Sequence, residues 1–361
     1  MSVSVTPFDK LRVTVMVSLS NHTDTKSLTL NTVLLTLTLI TDTELTEVNM
    51  AFVPPTETYP GKVYEVAIGA EKPGKFGGEN VLAFHSFEGN VPNRPLIAYE
   101  IQDIPPEDWP ETVKKVFEGV SGDPVTWAKY CQDTLKAKAI ALRLVGSHPD
   151  RENRSPEDTA KTVKDVLAAI NVPLIILGCN QAEKDSAVLV AAAEAAKDKN
   201  CIIGKAQEAN YKTIAAAAMA NNHKLIAMSE LDINLSKQLN ILITQMGFEK
   251  ERLITDPMCS ALGYGLEYTY SVMERIRLAA LTQNDATMQP PMLGDVGMYV
   301  WKLKETQAPE SELPQWGSLE ERGIAWETIT AGSLIIAGAE LLIMRHPEAV
   351  KAMEKFIDEL M

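Results

Sequence analysis

Between residue 96 and the C-terminus, apolar runs of strand length alternate with amphipathic helices eight times over. The runs are "LIAYEIQD" (96–103), "AIALRLVG" (139–146), "PLIILGC" (173–179), "CIIGKA" (201–206), "KLIAMS" (224–229), "RLITDP" (252–257), "PPMLGDVG" (290–297) and "ELLIMRHP" (340–347). Strands that are apolar almost without interruption are expected where both faces of a parallel sheet are covered. The helices between them carry their own punctuation. "SPEDTAKTVKDVLAAI" opens with Ser155 as N-cap, Pro156 in the first turn and Asp158 at the capping-box position. "LDINLSKQLNILITQMG" stops at Gly247, which suits the left-handed residue after a helix. "DSAVLVAAAEAAKD" and "YKTIAAAAMANN" are rich in alanine, which lets a helix lie close to a sheet.

Eight strand–helix units predict a (β/α)₈ barrel, a TIM barrel, over residues 96–361. A doubly wound open sheet is the alternative. It loses its usual support because no G-x-G-x-x-G follows the first strand. Residues 50–95 form an N-terminal segment in which "VYEVAIG" and "NVLAFHSF" flank the turn-rich "AEKPGKFGGE". That composition predicts a β-hairpin covering one end of the barrel. The long "ETQAPESELPQWGSLEERG" connection, taken to precede the last helix, breaks the rhythm and is the expected lid or interface loop. Residues 1–49 are Ser-, Thr- and Leu-rich, and "SLTLNTVLLTLTLIT" has strand alternation. Nothing in them matches the architecture that follows, so they are expected to be a non-native or disordered extension, with a natural start at Met50.

A formal net charge of −14 argues against nucleic-acid or anionic-membrane partners, which need concentrated Lys and Arg. The N-terminal alternation is too polar for a membrane span. Cys131, Cys179, Cys201 and Cys259 are scattered through apolar segments without C-x-x-C spacing. They are expected to be buried thiols in the cytoplasm, with neither a metal site nor an iron–sulfur cluster on this chain.

In such a barrel, chemistry belongs at the C-terminal ends of the strands. The residues delivered there are Gln102 and Asp103, Ser147 and His148, Cys179 and Asn180, Lys205 with Gln207 and Glu208, Ser229 and Asp232, Asp256, Asp295, Arg345 and His346. Each has a functional and a structural reading. Lys205 is a Schiff-base lysine if desolvated, as in an aldolase, or the ion-pair partner of a carboxylate such as Glu208. His346 is a general base or the entry residue of the "PEAVKAMEKF" helix. His85 and His148 lack a second ligand at metal spacing. Cys179 is a nucleophile without an evident base, or an inert thiol. Asp256, followed by Pro257, either bonds a ligand's polar ring edge or caps its own loop. No nucleophile–base set emerges, and no catalytic residue is assigned.

The segments "FEGNVPNRPLIAYEIQD", "AEKDSAVLVAAAEAA", "LDINLSKQLNILI", "ALGYGLEYTYSVMERIRLAAL" and "LLIMRHPEAV" resemble the small (delta) subunit of the corrinoid iron–sulfur protein of the carbon monoxide dehydrogenase/acetyl-CoA synthase system. The resemblance runs from about His85 to Met361. It implies a barrel paired with a large subunit that carries the iron–sulfur cluster and most of the grip on the corrinoid (a cobamide). The small subunit's mouth then covers the other face of the corrinoid. The heterodimer takes a methyl group from methyltetrahydrofolate or a related pterin through a separate methyltransferase, and passes it to acetyl-CoA synthase in the acetyl-CoA (Wood–Ljungdahl) pathway. The barrel-mouth candidates for corrinoid contact are Gln102, Asp103, Asn180, Lys205, Ser229, Asp256 and Arg345. The family's barrel is also similar to pterin-binding methyltransferases, and Asn180 and Asp256 stand at comparable strand ends. The second strand ends "VGSHPD", without the acid such an enzyme would place there. A stand-alone pterin-dependent methyltransferase is therefore the competing reading.

Overall fold

The computed structural model describes residues 55–361 in full, and the backbone of 15–16, 34–38 and 47–51. The chain divides into two units, Met1–Glu57 and Thr58–Met361. In the first, Val15–Met16, Leu34–Thr38 and Glu47–Ala51 form a three-stranded sheet with antiparallel pairing. The second strand lies inside the Leu/Thr alternation. The expectation of a disordered or non-native extension otherwise falls on residues outside those described.

The second unit is a closed barrel of eight parallel strands: β1 (Leu96–Gln102), β2 (Ala139–Arg143), β3 (Leu174–Leu177), β4 (Ile202–Ala206), β5 (Lys224–Met228), β6 (Leu253–Asp256), β7 (Met292–Asp295) and β8 (Ala339–Met344). Its helices are α1 (Pro124–Asp133), α2 (Pro156–Ala169), α3 (Ala182–Ala195), α4 (Tyr211–Ala220), α5 (Ile233–Gln245), α6 (Leu266–Thr282), the short α7 (Val296–Val300), α8 (Leu319–Ile336) and α9 (Pro347–Leu360). Local signals in the sequence act as expected. The Ser155 hydroxyl accepts the Asp158 amide at 3.1 Å and opens α2. Gly247, at φ +92°, closes α5 in the left-handed region open to glycine. Among the described residues, no helix is long and apolar enough to cross a membrane.

Period-two alternation divides each strand between two cores. Outward residues such as Ile97, Tyr99, Ile140 and Leu142 pack with the helices. Inward residues, including Leu96, Ala98, Ala141, Ile175, Ile226 and Ile343, fill the barrel together with Val66, Ile68 and Phe76. Those last three belong to the hairpin, whose strands are Val66–Ile68 and Gly74–Phe76. The hairpin therefore closes the N-terminal end of the barrel, where Gly69 donates to the Asn200 carbonyl at 2.9 Å. Its second strand lies within the stretch expected to be the connection, while residues 80–87 form turns. A three-residue strand containing Gly74 is too short to show a period. The long connection after α7 leads into α8, not into the last helix, which is α9.

Candidate functional site

With the N-terminal end plugged, the C-terminal mouth is where strand ends meet. The inward alternation continues upward and changes character. On β1, Leu96 and Ala98 give way to Glu100; on β2, Ala139 and Ala141 give way to Arg143; on β8, Leu341 and Ile343 are followed by Arg345. β6 and β7 end in Asp256 and Asp295, and Lys205 comes from β4. Six charged side chains thus form the top layer of the barrel, all buried.

They pair with one another. Arg143 donates Nε to Glu100 at 2.9 Å and Nη2 to both oxygens of Asp295 at 2.9 Å. Arg345 donates to Glu100 from Nη2 at 2.9 Å and from Nε at 3.1 Å, and its guanidinium lies 4.3 Å from the centre of the Trp109 ring. Lys205 Nζ stands 2.7 Å from Asp295 and 2.8 Å from Asp256. Asp256 also accepts the Met258 amide at 2.9 Å. Such burial is tolerable only because each charge has partners.

The electrostatics follow from these contacts. Burial opposes the charge on Lys205, but Asp256 and then Asp295 outweigh it and hold the amine well above the ordinary lysine range. Burial likewise opposes the Asp295 carboxylate, yet Arg143 and Lys205 hold its pKa below the usual value. Asp256, with one cation instead of two, is pushed up by burial that Lys205 only partly offsets. A Schiff-base lysine must shed its proton to attack a carbonyl. Lys205 is held in the opposite state.

The helix α7 covers this layer. Gly297 lies so close to Arg345 that a Cβ there would come within 2.7 Å of the arginine Cγ. Met298 reaches across to Asn180, whose Nδ2 is 3.6 Å from its sulfur. The Tyr299 hydroxyl is pushed up to about 12 by burial. Behind Arg345, the buried Glu327 carboxylate accepts the amides of Arg345 (2.7 Å) and His346 (3.0 Å), and burial raises its pKa to about 7.

The candidates named from sequence fall into three groups. Lys205, Asp256, Asp295 and Arg345 belong to the network. Gln102 and Ser229 are buried beside it, and Gln102 Oε1 and Ser229 Oγ have no hydrogen-bond partner among the described residues. The rest are structural or stand at the rim. Asp103 accepts the Gly146 amide at 2.8 Å and ties the loops after β1 and β2, its pKa raised to about 6 by burial. Asn180, at φ +67°, donates its amide to Asp185. Asp232 caps α5 through the Asn234 and Leu235 amides, and His346 caps α9 through the Glu348 amide. Lys205 pairs with Asp256 and Asp295, not with Glu208, because its side chain turns into the barrel while Glu208 lies in the turn beyond. The four cysteines are free and buried, and burial raises the Cys179 thiol to about 11.

Two members of the network, Glu100 and Arg143, were not among the candidates, since both sit inside runs that look continuously apolar. Their signal is register. Each is the one charged residue of its strand, at an inward position two residues above an alanine.

Fold and mouth define a (β/α)₈-barrel protein whose strand-end charges are committed to one another. Residues 65–357 match the family described as the CO dehydrogenase/acetyl-CoA synthase delta subunit, and the chain belongs to that family. It is 34% identical over 307 residues to the acetyl-CoA decarbonylase/synthase complex subunit delta of Methanothermobacter thermautotrophicus, covering 84% of this chain and 77% of that one. The subunit of that name from Archaeoglobus fulgidus is 33% identical over 326 residues, covering 87% and 72%. Among solved structures, a dihydropteroate synthase from Xanthomonas albilineans is similar at 16% identity and TM-score 0.49, covering 75% of this chain and 94% of that one.

Proposed function

We propose that this chain is the small subunit of a corrinoid iron–sulfur methyl carrier within a cytoplasmic acetyl-CoA decarbonylase/synthase complex. In this reading it pairs with a large subunit and covers one face of a corrinoid that the large subunit holds. It thereby helps pass a methyl group from a methyl-pterin methyltransferase to acetyl-CoA synthase. The observation that carries the reading is the family match over residues 65–357. The mouth supports it physically. Six buried charges that pair with one another, roofed by α7, leave a surface suited to covering a large group more than a pocket suited to turning over a small one.

The residues present fit an amide-fringed macrocycle. Gln102 Oε1 and Ser229 Oγ are buried polar atoms without partners among the described residues, and Asn180 is exposed at the same rim. Gln102, Ser229 and Asn180 would bond the periphery of such a group; when bound, its cobalt supplies the methyl-carrying chemistry. Asp103, Lys205, Asp256 and Arg345 would act from beneath, by fixing the loops and the layer on which that surface rests.

The stand-alone methyltransferase reading needs Asp256 free for a pterin, whereas here both its oxygens are engaged, by Lys205 and by the Met258 amide. Co-purification with the large subunit, followed by an absorption spectrum, tests the choice. The expected result is a colourless isolated chain and a complex with corrinoid and iron–sulfur bands. A stoichiometric cluster on the isolated chain, or tight binding of methyltetrahydrofolate to it, would overturn the reading.

A further inference from the structure

The mouth network leaves one strong donor unused. Arg143 spends Nε on Glu100 and Nη2 on Asp295, but Nη1 has no partner among the described residues although Arg143 is only 3% exposed. A buried donor left unpaired is costly, and a guanidinium edge is shaped for an oxyanion. Directly opposite Arg143 in the strand register stands Gln102, whose Oε1 is likewise buried and unpartnered. One residue beyond Trp301, at the C-terminal end of α7, Lys302 lies at the rim with its ammonium 5.1 Å from the centre of the Tyr299 ring. Among the described residues, Lys302 makes no ion pair with a carboxylate. Desolvation first, and then Arg345 and Arg143, push its amine below the ordinary lysine range. An ammonium held among cations gains from an added anion.

The nearby carboxylates are already engaged. Glu100 and Asp295 are bound by the two arginines and Lys205. Asp185, also within electrostatic reach of Arg143, accepts the amides of Cys179 at 2.7 Å and Asn180 at 3.0 Å. The donors that remain are therefore matched to something the described residues do not supply.

We propose that the barrel mouth contains an oxyanion subsite, in which Arg143 Nη1 from within and the Lys302 ammonium from the rim hold a phosphate or carboxylate group, and Gln102 Oε1 accepts a hydroxyl carried by or beside that group. Hydrogen phosphate and short hydroxy acids have this chemistry. The subsite is built from this chain's residues and is tested on the chain without a corrinoid; it shares Gln102 with the surface proposed to cover that group.

Calorimetric titration of the full chain at low ionic strength tests it, with inorganic phosphate in one arm and glycolate in the other. Lys302→Gln is the informative variant, since Lys302 stands outside the buried ion pairs and its loss leaves them intact. The control is Lys136→Gln. Lys136 lines a basic cleft of about 790 Å³ at the opposite end of the barrel. In that cleft Lys75, Arg94 and Lys138 are already paired with Glu65, Asp358 and Glu354. Loss of one charged hydrogen bond should weaken binding about ten- to hundredfold in Lys302→Gln, with Lys136→Gln unchanged. The arm that shows this Lys302 dependence names the anion. Absence of binding in both arms, or binding lost in Lys136→Gln and retained in Lys302→Gln, overturns the proposal.

Discussion

The two ends of the barrel interior are built on the same strands and filled with opposite chemistry. Toward the N-terminal end, Leu96, Ala98, Ile226 and Leu341 meet Val66, Ile68 and Phe76 of the hairpin in one apolar cluster. One step of the alternation higher, Glu100, Arg143, Lys205, Asp256, Asp295 and Arg345 fill the same cylinder with ion pairs. The hairpin end gains stability from removing apolar surface from water. The mouth gains little, because the desolvation of six charges offsets most of their attraction, and well-packed apolar residues often serve stability as well or better. What the charged layer provides is a fixed arrangement of polar groups beneath the surface of the C-terminal mouth.

The contrast can be broken most severely at Arg143. Arg143→Met leaves Glu100 with Arg345 alone and Asp295 with Lys205 alone. Urea unfolding should show a loss of about 3–5 kcal/mol, the usual cost of removing one partner of a buried pair. A loss below about 1 kcal/mol would mean that water already reaches the layer. At the other end, Phe76→Ala should cost about 3–4 kcal/mol by opening a cavity under the plug. Its effect should stop there: assembly with a large subunit, followed by gel filtration, should be unchanged in the folded variant. Loss of assembly in a folded Phe76→Ala chain would show that the ends are not independent.

The division between the two ends was only partly legible in the sequence. The strands were visible because each apolar run is bounded by helix punctuation such as Ser155 and Gly247. Lys205, Asp256, Asp295 and Arg345 were visible because they close those runs. Glu100 and Arg143 were hidden, since a single charge inside an apolar strand discloses its inward orientation only once the register is known. The helix α7 was invisible for another reason. Five residues, Val296–Val300, are fewer than the 3.6-residue repeat needs to show itself. The pairing of Lys205 with two aspartates on distant strands is a property of barrel closure, which sequence proximity to Glu208 could not anticipate.

A smaller effect sharpens the electrostatic side of the comparison. Glu327, behind Arg345, has its pKa raised from 4.5 to about 7, chiefly by burial. The folded chain then keeps a proton that the unfolded chain has released. The stability that this proton confers is complete below pH 4.5 and is lost as pH rises to about 7. At 1.36 kcal/mol per unit the change is roughly 3 kcal/mol across the window. Glu327→Gln should remove this component, so the stability difference between variant and parent should shift in the variant's favour between pH 5 and pH 8. Parallel stability curves for the two chains would contradict the assignment.

In the proposed role, charge at the mouth organises a surface and does not move protons during methyl transfer. Asp256→Asn tests it most directly, because Lys205 keeps Asp295 and assembly should survive. In the reconstituted complex the rate of methyl transfer is measured against pH for parent and variant. Loss of a positioning hydrogen bond predicts a modest fall of roughly two- to 150-fold with the parent's pH profile retained. A flattened limb of the profile together with a loss of about a thousandfold would make Asp256 a general acid or base, and the barrel a catalyst in its own right.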